Sequence, residues 1–278
     1  MKKSHRKFVN RIINKLYGIT KNESLYLYSL NIATKLFKHS KNSISFDKEN
    51  NCYWLKNRSK FLQLAERPYF DFSEEDMRQR CQKIFCKYYS PQAKDVILDI
   101  GAGIGTEVCF FVEAIKKEGK LYNIEASPTS FNGLEQTVLK NNFKNCYNFN
   151  LAISNNEEPI WIEENDNYVV NSVNKNAVGV RIKAITIDQF VTINKITKIN
   201  LLKVNIEGAE YDMIDGMKDS IHIIENVAIS CHDFLFKDGN KIENKVSGFL
   251  RANNFQVFYE NSGNQVLDSW VYGKKIYN

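Results

Sequence analysis

The residues of this sequence best suited to chemistry fall into three short runs. The first is Asp99-Ile100-Gly101-Ala102-Gly103-Ile104-Gly105, reached through the apolar stretch Val96-Ile97-Leu98. Glycines at such a turn let the backbone approach a ligand closely, and the N–H groups opening the next helix favour a nucleoside-bearing cofactor. Spacing narrows the choice. Dinucleotide folds prefer G-x-G-x-x-G, whereas Thr106 stands here where the last glycine would fall. A glycine turn is weak by itself, and a second feature supports it. Another apolar run, Leu121-Tyr122-Asn123-Ile124, ends in Glu125, 24 residues after Gly101. Doubly wound folds place an acid there to accept hydrogen bonds from ribose hydroxyls; the plainer reading is an exposed strand-end carboxylate. Ala126 and Ser127 continue that edge of the site. Asp99 can hold the glycine loop and answer a positive charge on the cofactor through an intervening group.

The other two runs are Lys203-Val204-Asn205-Ile206-Glu207-Gly208-Ala209-Glu210 and His232-Asp233. His232 is the candidate base, because imidazole titrates near neutrality and the residue falls at the predicted carboxyl end of a central strand. Asp233 can orient it or contact substrate. Glu207 and Glu210 are expected on the first turn of the next helix, where a carboxylate is favoured simply as a cap. The functional alternative turns Glu207 into the crevice, to bind a substrate hydroxyl or to share a divalent cation with His232 or Asp233. No metal-ligand spacing fixes such a cation, and no metal is assigned.

Positioning these groups requires a sheet. From Asp95 onward, short apolar runs alternate with helical segments, the pattern of parallel βαβ units. Further strands are predicted near Cys146–Asn150, Ile160–Glu163, Val180–Ile185, Ile199–Asn205, Asn226–Cys231, Phe255–Tyr259 and Ser269–Tyr272. The expected fold is α/β and Rossmann-like: a seven-stranded, mostly parallel sheet with helices on both faces and a C-terminal antiparallel hairpin. The Asn-rich stretch Asn165–Asn176 reads as a loop.

Residues 1–90 read differently. Phe8, Ile12, Ile13, Leu16 and Tyr17 recur at helical spacing, as do Tyr26, Leu30, Ala33 and Phe37, so two amphipathic helices broken near Gly18 are predicted. Ser43–Phe46 and Cys52–Leu55 flank a polar turn as a hairpin. Ser73 followed by Glu74, Glu75 and Asp76 opens a helix expected to run to about Tyr89 before Ser90-Pro91. The division expected is therefore a basic helical and hairpin extension, 1–90, ahead of a cofactor-binding domain, 91–278.

Composition bounds the rest. With 278 residues and 43% hydrophobic content the chain can bury a full core. No apolar run approaches the roughly 20 residues a bilayer span needs, and a cytoplasmic protein, peripheral to a membrane at most, is expected. The six cysteines show no C-x-x-C spacing and read as core residues in a reducing compartment. Residues 1–60 hold 14 Lys and Arg against three Asp and Glu, so the net +6 is concentrated there. Such a face suits an anionic membrane, a nucleic acid or an acidic glycan, or is only a solvated surface.

The run Lys203–Glu210 resembles the signature of the FkbM family of methyltransferases, a Lys-Ile-Asp-Val-Glu-Gly-x-Glu type of strand end, and the tight glycine spacing at 101–105 is common in methyltransferases. The likeness extends over about residues 94–274, through Ile124–Pro128, Leu151-Ala152-Ile153-Ser154, Ile185–Asp188 and Ser230–Phe234. It implies S-adenosyl-L-methionine as cofactor, S-adenosyl-L-homocysteine as product, and O-methylation of a hydroxylated acceptor, typically a sugar or a polyketide-like product. Asp99, Gly101, Ala102, Gly103, Gly105, Thr106, Glu125, Ala126, Ser127, Ala152 and Asn205 are the expected cofactor residues. His232, Glu207, Lys203 and Asp233 are the expected catalytic ones. The sequence departs from the signature at Asn205, which replaces an aspartate; an amide still hydrogen-bonds but cannot act as a base.

Two other classes compete. A nucleic-acid methyltransferase fits the basic N-terminus, although no Asn-Pro-Pro-Tyr-like motif is present. A non-catalytic cofactor-binding protein at a membrane surface fits Asn205 and the amphipathic start. Salt-dependent binding to RNA or anionic vesicles, and loss of methyl transfer in His232→Ala, discriminate them. The aromatics Tyr53, Trp54, Tyr69 and Phe70, near Lys56, Arg58 and Arg67, either pack in the core or cover the crevice and stack on a sugar. A homo-oligomer is a further expectation for the extension.

Overall fold

A computed structural model describes residues 3–38, 42–64, 67–70, 72–163, 172–173, 179–233 and 241–277. The chain opens with α1 (Lys3–Thr20) and α2 (Glu23–Lys38). α1 continues through Gly18, and the break falls at Lys21, whose φ is 49°, and at Asn22, whose Oδ1 accepts from Leu25 N at 3.0 Å. A glycine inside a helix costs only about 1 kcal/mol, too little to end α1, and Asn22 caps the helix that follows.

Three antiparallel strands follow: β1 (Asn42–Asp47), β2 (Cys52–Asn57) and β3 (Lys60–Leu64). The third is not among the strands the sequence predicts. Its turn, Arg58-Ser59, puts Arg58 at φ 55° without the Asn-Gly pair that usually betrays such a hairpin. α3 (Glu74–Lys83) starts as predicted, with Ser73 Oγ accepting from Asp76 N at 3.2 Å, but ends well before Tyr89. Ile84, Phe85 and Cys86 are consecutive and all buried, which one face of a continuing helix cannot achieve.

The main sheet then assembles from β4 (Val96–Ile100), β5 (Lys120–Glu125) and β6 (Cys146–Asn150), joined through α4 (Val108–Ile115) and α5 (Pro128–Asn141). A side branch comes next: β7 (Ala152–Ile153), β8 (Ile160–Glu163), β9 (Ser172–Val173), β10 (Val180–Ile182) and β11 (Ala184–Ile185). Here the expectation is corrected. Among the described residues, β8, β9 and β10 form a separate small antiparallel sheet, and β7 pairs only with β11. The stretch 180–185 splits because the Lys183 carbonyl turns to accept from Ala152 N. The loop expected at Asn165–Asn176 lies almost wholly outside the described residues.

α6 (Ile187–Ile193) carries a Thr186/Gln189 capping box and leads to β12 (Leu201–Val204), α7 (Glu210–Met213), β13 (Asn226–Ser230), α8 (Lys241–Ala252), β14 (Phe255–Tyr259), α9 (Gln265–Asp268) and β15 (Trp270–Lys275). The seven-stranded order is β14-β15-β13-β12-β4-β5-β6, parallel except around β15. This is the α/β, Rossmann-like arrangement that the alternation of strands and helices predicts.

Alternation along the strands divides the core. Leu98, Ile100, Leu202, Val204, Val227 and Ile229 face one side, with Phe190, Met213 and Val246 from α6, α7 and α8. Ile97, Leu121, Leu201 and Ala228 face the other, with Cys81, Phe111 and Leu134 from α3, α4 and α5. A fully buried side chain of this kind contributes about 1.5–3 kcal/mol. The helical hairpin and β1–β3 close a third cluster around Tyr26, Leu30, Leu55 and Phe70. It is fastened to α5, where the Asn141 side chain both donates to Phe61 O (2.7 Å) and accepts from Phe61 N (2.9 Å).

Candidate active site

The carboxyl ends of β4, β5, β12 and β13 open into a cleft of about 800 Å³. One wall is the glycine loop. Gly101, Gly103 and Gly105 all have positive φ (76°, 55° and 79°), a region that costs glycine nothing. The reason for glycine at 101 lies inside the chain: a Cβ there would stand 2.0 Å from the Asn205 carbonyl oxygen. Gly105 packs against Leu134 of α5 and does not line the cleft, whereas Gly101, Ala102, Gly103 and Thr106 do.

Beneath the loop, Lys203 and Asp99 sit opposite each other in the β12/β4 register. Lys203 Nζ is 2.7 Å from Asp99 Oδ1 and donates to Gly101 O at 2.8 Å. Burial opposes the Lys203 charge, but Asp99, helped by Glu107 and Glu125, outweighs it and holds the amine above its ordinary value. The contact with Asp99 is an ion pair; neither carboxylate oxygen accepts a well-directed hydrogen bond among the described residues. Lys203 is thus the intervening group between Asp99 and the loop. It positions the loop from below.

Glu125 ends β5 in the cleft. Its two oxygens accept from Gly103 N and Ser127 N, both at 2.8 Å, which locks the glycine loop to the second strand. Burial raises its carboxyl despite these bonds. Each oxygen keeps a further lone pair for a hydroxyl. Ser127 also caps α5, and Ala126, Leu151, Ala152 and Ile153 give the neighbouring wall an apolar surface.

The opposite side holds the acid–base groups. Glu207 is not on a helix turn as expected; it stands three residues ahead of α7 at φ 51°. Glu210 opens α7 and folds its carboxylate back to accept from Ile206 N (3.0 Å) and Gly208 N (2.8 Å). The same Glu210 Oε1 is 2.8 Å from His232 Nδ1. His232 Nε2 lies 3.5 Å from Glu207 Oε1 and 3.4 Å from Ser230 Oγ, and Glu207, Ser230 and His232 all line the cleft. Burial works against a charge on His232, yet the Glu210 hydrogen bond, with Glu207 and Asp233, lifts the imidazole above its usual value. Glu207 is itself raised, chiefly by burial.

Asp233 does not orient the histidine. Its carboxylate accepts from Ile242 N (2.7 Å) and Glu243 N (2.9 Å) and caps α8. The partner of His232 is Glu210, which the sequence offered as a cap; it is both. Asn205 lines the cleft, and its side-chain amide makes no hydrogen bond among the described residues. No group of three or more His, Cys, Asp or Glu side chains among the described residues is disposed to hold a metal ion.

The remaining wall comes from the first 90 residues: Gln63, Arg67, Tyr69, Phe72, Arg80 and Phe85. Of the aromatics singled out from sequence, Tyr53, Trp54 and Phe70 are core residues, and Tyr69, half exposed, faces the cleft.

A sequence profile of the FkbM methyltransferase domain matches residues 99–257, more than half of the chain. The chain belongs to the FkbM methyltransferase family. The FkbM domain is an S-adenosylmethionine-dependent methyltransferase domain, and the cleft fits that cofactor. It offers a carboxylate (Glu125) with lone pairs left for hydroxyls, an apolar wall (Ala126, Leu151, Ile153), and an amide (Asn205) beside a left-handed glycine loop. Hexuronic acid methyltransferase AglP of Haloferax volcanii is 25% identical over 148 residues, 50% of this chain and 56% of that protein. The chain therefore spans little more than half of that relative's length. Among solved structures, Aeropyrum pernix fibrillarin with natively bound S-adenosyl-L-methionine is similar at a TM-score of 0.47 and 10% identity, over 84% of this chain and 99% of that one. A methyltransferase of Aquifex aeolicus is similar at a TM-score of 0.40 and 12% identity, over 73% and 97%.

Proposed function

We propose that this FkbM protein transfers a methyl group from S-adenosylmethionine to a hydroxyl of a saccharide, with His232 as the base. The observation that carries the reading is the 2.8 Å pair of Glu210 Oε1 and His232 Nδ1 beside the glycine-loop cleft. When bound, S-adenosylmethionine supplies an activated methyl group. The rest falls to this chain. Glu210 holds Nδ1–H, which fixes the tautomer that presents the Nε2 lone pair towards the cleft. Nε2 takes the proton of the attacking hydroxyl, and the Glu210 carboxylate stabilises the imidazolium that forms. Glu207 and Asn205 supply an acceptor and an amide with which to orient that hydroxyl, since positioning is the larger part of such a reaction. Residues 1–90 serve as the acceptor-side cover over a methyltransferase domain spanning 91–278. The saccharide acceptor draws support from AglP, whose name specifies a hexuronic acid.

The test is an assay with radiolabelled methyl donor against neutral saccharides, uronic-acid saccharides, RNA and small phenols. Label appearing in a saccharide, lost in His232→Ala while S-adenosylhomocysteine still binds, is the expected result. Label confined to RNA, or no label in any acceptor, overturns it.

A further inference from the structure

The cleft does not end at its own rim. A second groove, of about 760 Å³, runs along α1 and is lined by Lys7, Asn10, Arg11, Asn14, Lys15 and Tyr69. Tyr69 also lines the catalytic cleft, so one exposed ring borders both.

That junction is built. The segment 67–70 is tied to the helical hairpin at several points. Asn10 Oδ1 accepts from Phe70 N (3.2 Å), Tyr26 OH donates to Pro68 O (2.7 Å), and Thr34 Oγ1 donates to Phe70 O (2.9 Å). The Arg67 guanidinium lies over the Tyr17 ring, 3.7 Å from its centroid, and lines the cleft. Lys7, Arg11 and Lys15 recur every fourth residue and so share one face. They span roughly 12 Å at the helical rise of 1.5 Å per residue. α1 contains no Asp or Glu, and none of these four cations pairs with a carboxylate among the described residues.

Resting on the saccharide reading above, we infer that the acceptor is an acidic oligosaccharide whose chain lies along α1, passes Tyr69, and delivers one ring to His232. Cations one helical turn apart match a chain carrying a negative charge on successive units, with Asn14 between them as a partner for hydroxyls. Tyr69 offers a face on which a sugar ring can stack. A single-stranded nucleic acid is a poorer match, since such sites use successive stacking aromatics and this groove has one. A lipid surface would need apolar side chains, and the exposed Phe8 and Ile12 of α1 are not among the lining residues.

The experiment uses the full chain and measures binding of digalacturonate, hexagalacturonate, maltohexaose, a uridine hexanucleotide and phosphatidylglycerol vesicles. Hexagalacturonate is expected to bind roughly tenfold more tightly than digalacturonate, as for a few rim charge contacts, and more tightly than the other probes. The exposed-site variant Lys7→Gln/Arg11→Gln/Lys15→Gln removes that length dependence and leaves S-adenosylhomocysteine affinity unchanged; Tyr69→Ala weakens both galacturonates. Equal binding of the two galacturonates, equal binding of maltohexaose, or tighter binding of the hexanucleotide or vesicles overturns the inference. Methyl transfer to saccharides, measured in parallel, separates the two readings: transfer that ignores charge and length defeats this inference alone.

Discussion

Lys203 and Asp99 face each other on adjacent parallel strands, and the lysine that pairs with Asp99 at 2.7 Å is the same one that holds the Gly101 carbonyl at 2.8 Å. A buried charge pair is thereby part of the cofactor loop's foundation. Removing one partner leaves the other charged and buried, a loss of about 3–5 kcal/mol. Lys203→Met is expected to lower unfolding stability by that amount in urea titrations and to weaken S-adenosylhomocysteine binding. The double variant Asp99→Asn/Lys203→Met recovers part of the stability but not the binding. Full recovery of both would show that the lysine does not position the loop.

The acid–base assignment places its weight on one imidazole. His232→Ala is expected to slow methyl transfer by about 10²–10⁴-fold, the usual range for a positioned base, while calorimetry finds S-adenosylhomocysteine affinity preserved. Glu210→Gln slows transfer as well and loosens the Ile206–Gly208 turn. A rate within threefold of the parent for His232→Ala would sink the assignment.

The same imidazole sets a pH dependence. Its value in the folded protein lies above the ordinary 6.5 because Glu210 hydrogen-bonds it and Glu207 and Asp233 add to the field, against the opposing effect of burial. The base form is the unprotonated one, so the transfer rate rises with pH through a midpoint above 6.5. Glu207→Gln and Glu210→Gln each move that midpoint down. Stability has the opposite sign: the contribution of His232 is complete below the unfolded value and is lost as pH rises through the folded one. Rate–pH profiles and NMR titration of the ring check both.

Two glycines make a controlled comparison. Gly101→Ala forces a Cβ to within 2.0 Å of the Asn205 carbonyl at φ 76°, so the β4 and β12 strand ends must separate. A loss above about 3 kcal/mol and no measurable cofactor binding are expected. Gly248, inside α8, would meet nothing within 4 Å, and Gly248→Ala should add about 0.4–1 kcal/mol. Thermal unfolding of the two variants in one buffer decides the matter.

Much of the sheet was legible because its strands are apolar runs broken by strong punctuation, and the glycine turn, Glu125 and His232 fall at strand ends where spacing alone puts them near one another. The partner of His232 was not. Glu210 and His232 are 22 residues apart, and nothing local distinguishes a glutamate that caps a turn from one that also grips an imidazole. Asp233, adjacent to the histidine, looked the better partner, yet its carboxylate satisfies the first N–H groups of α8, a need visible only once that helix is in place. Lys203 posed the converse problem: a lysine within an apolar strand invites a catalytic role, and only register with Asp99 gives it a structural one. β8 and β10 lie outside the main sheet, which the sequence could not show because a short apolar run does not say which sheet it joins.

The Asn10, Tyr26 and Thr34 contacts to residues 67–70 have a consequence for how this enzyme can diversify. The cleft-lining residues Arg67, Pro68 and Tyr69 are hung from the first two helices, whereas the glycine loop is braced by Lys203, Asp99 and Glu125 within the sheet. The two supports share little, so, with residues 1–90 as the acceptor-side cover proposed above, substitutions in the helices would redraw acceptor choice without disturbing the methyl donor. Descendants of such a chain can change clientele while keeping their chemistry.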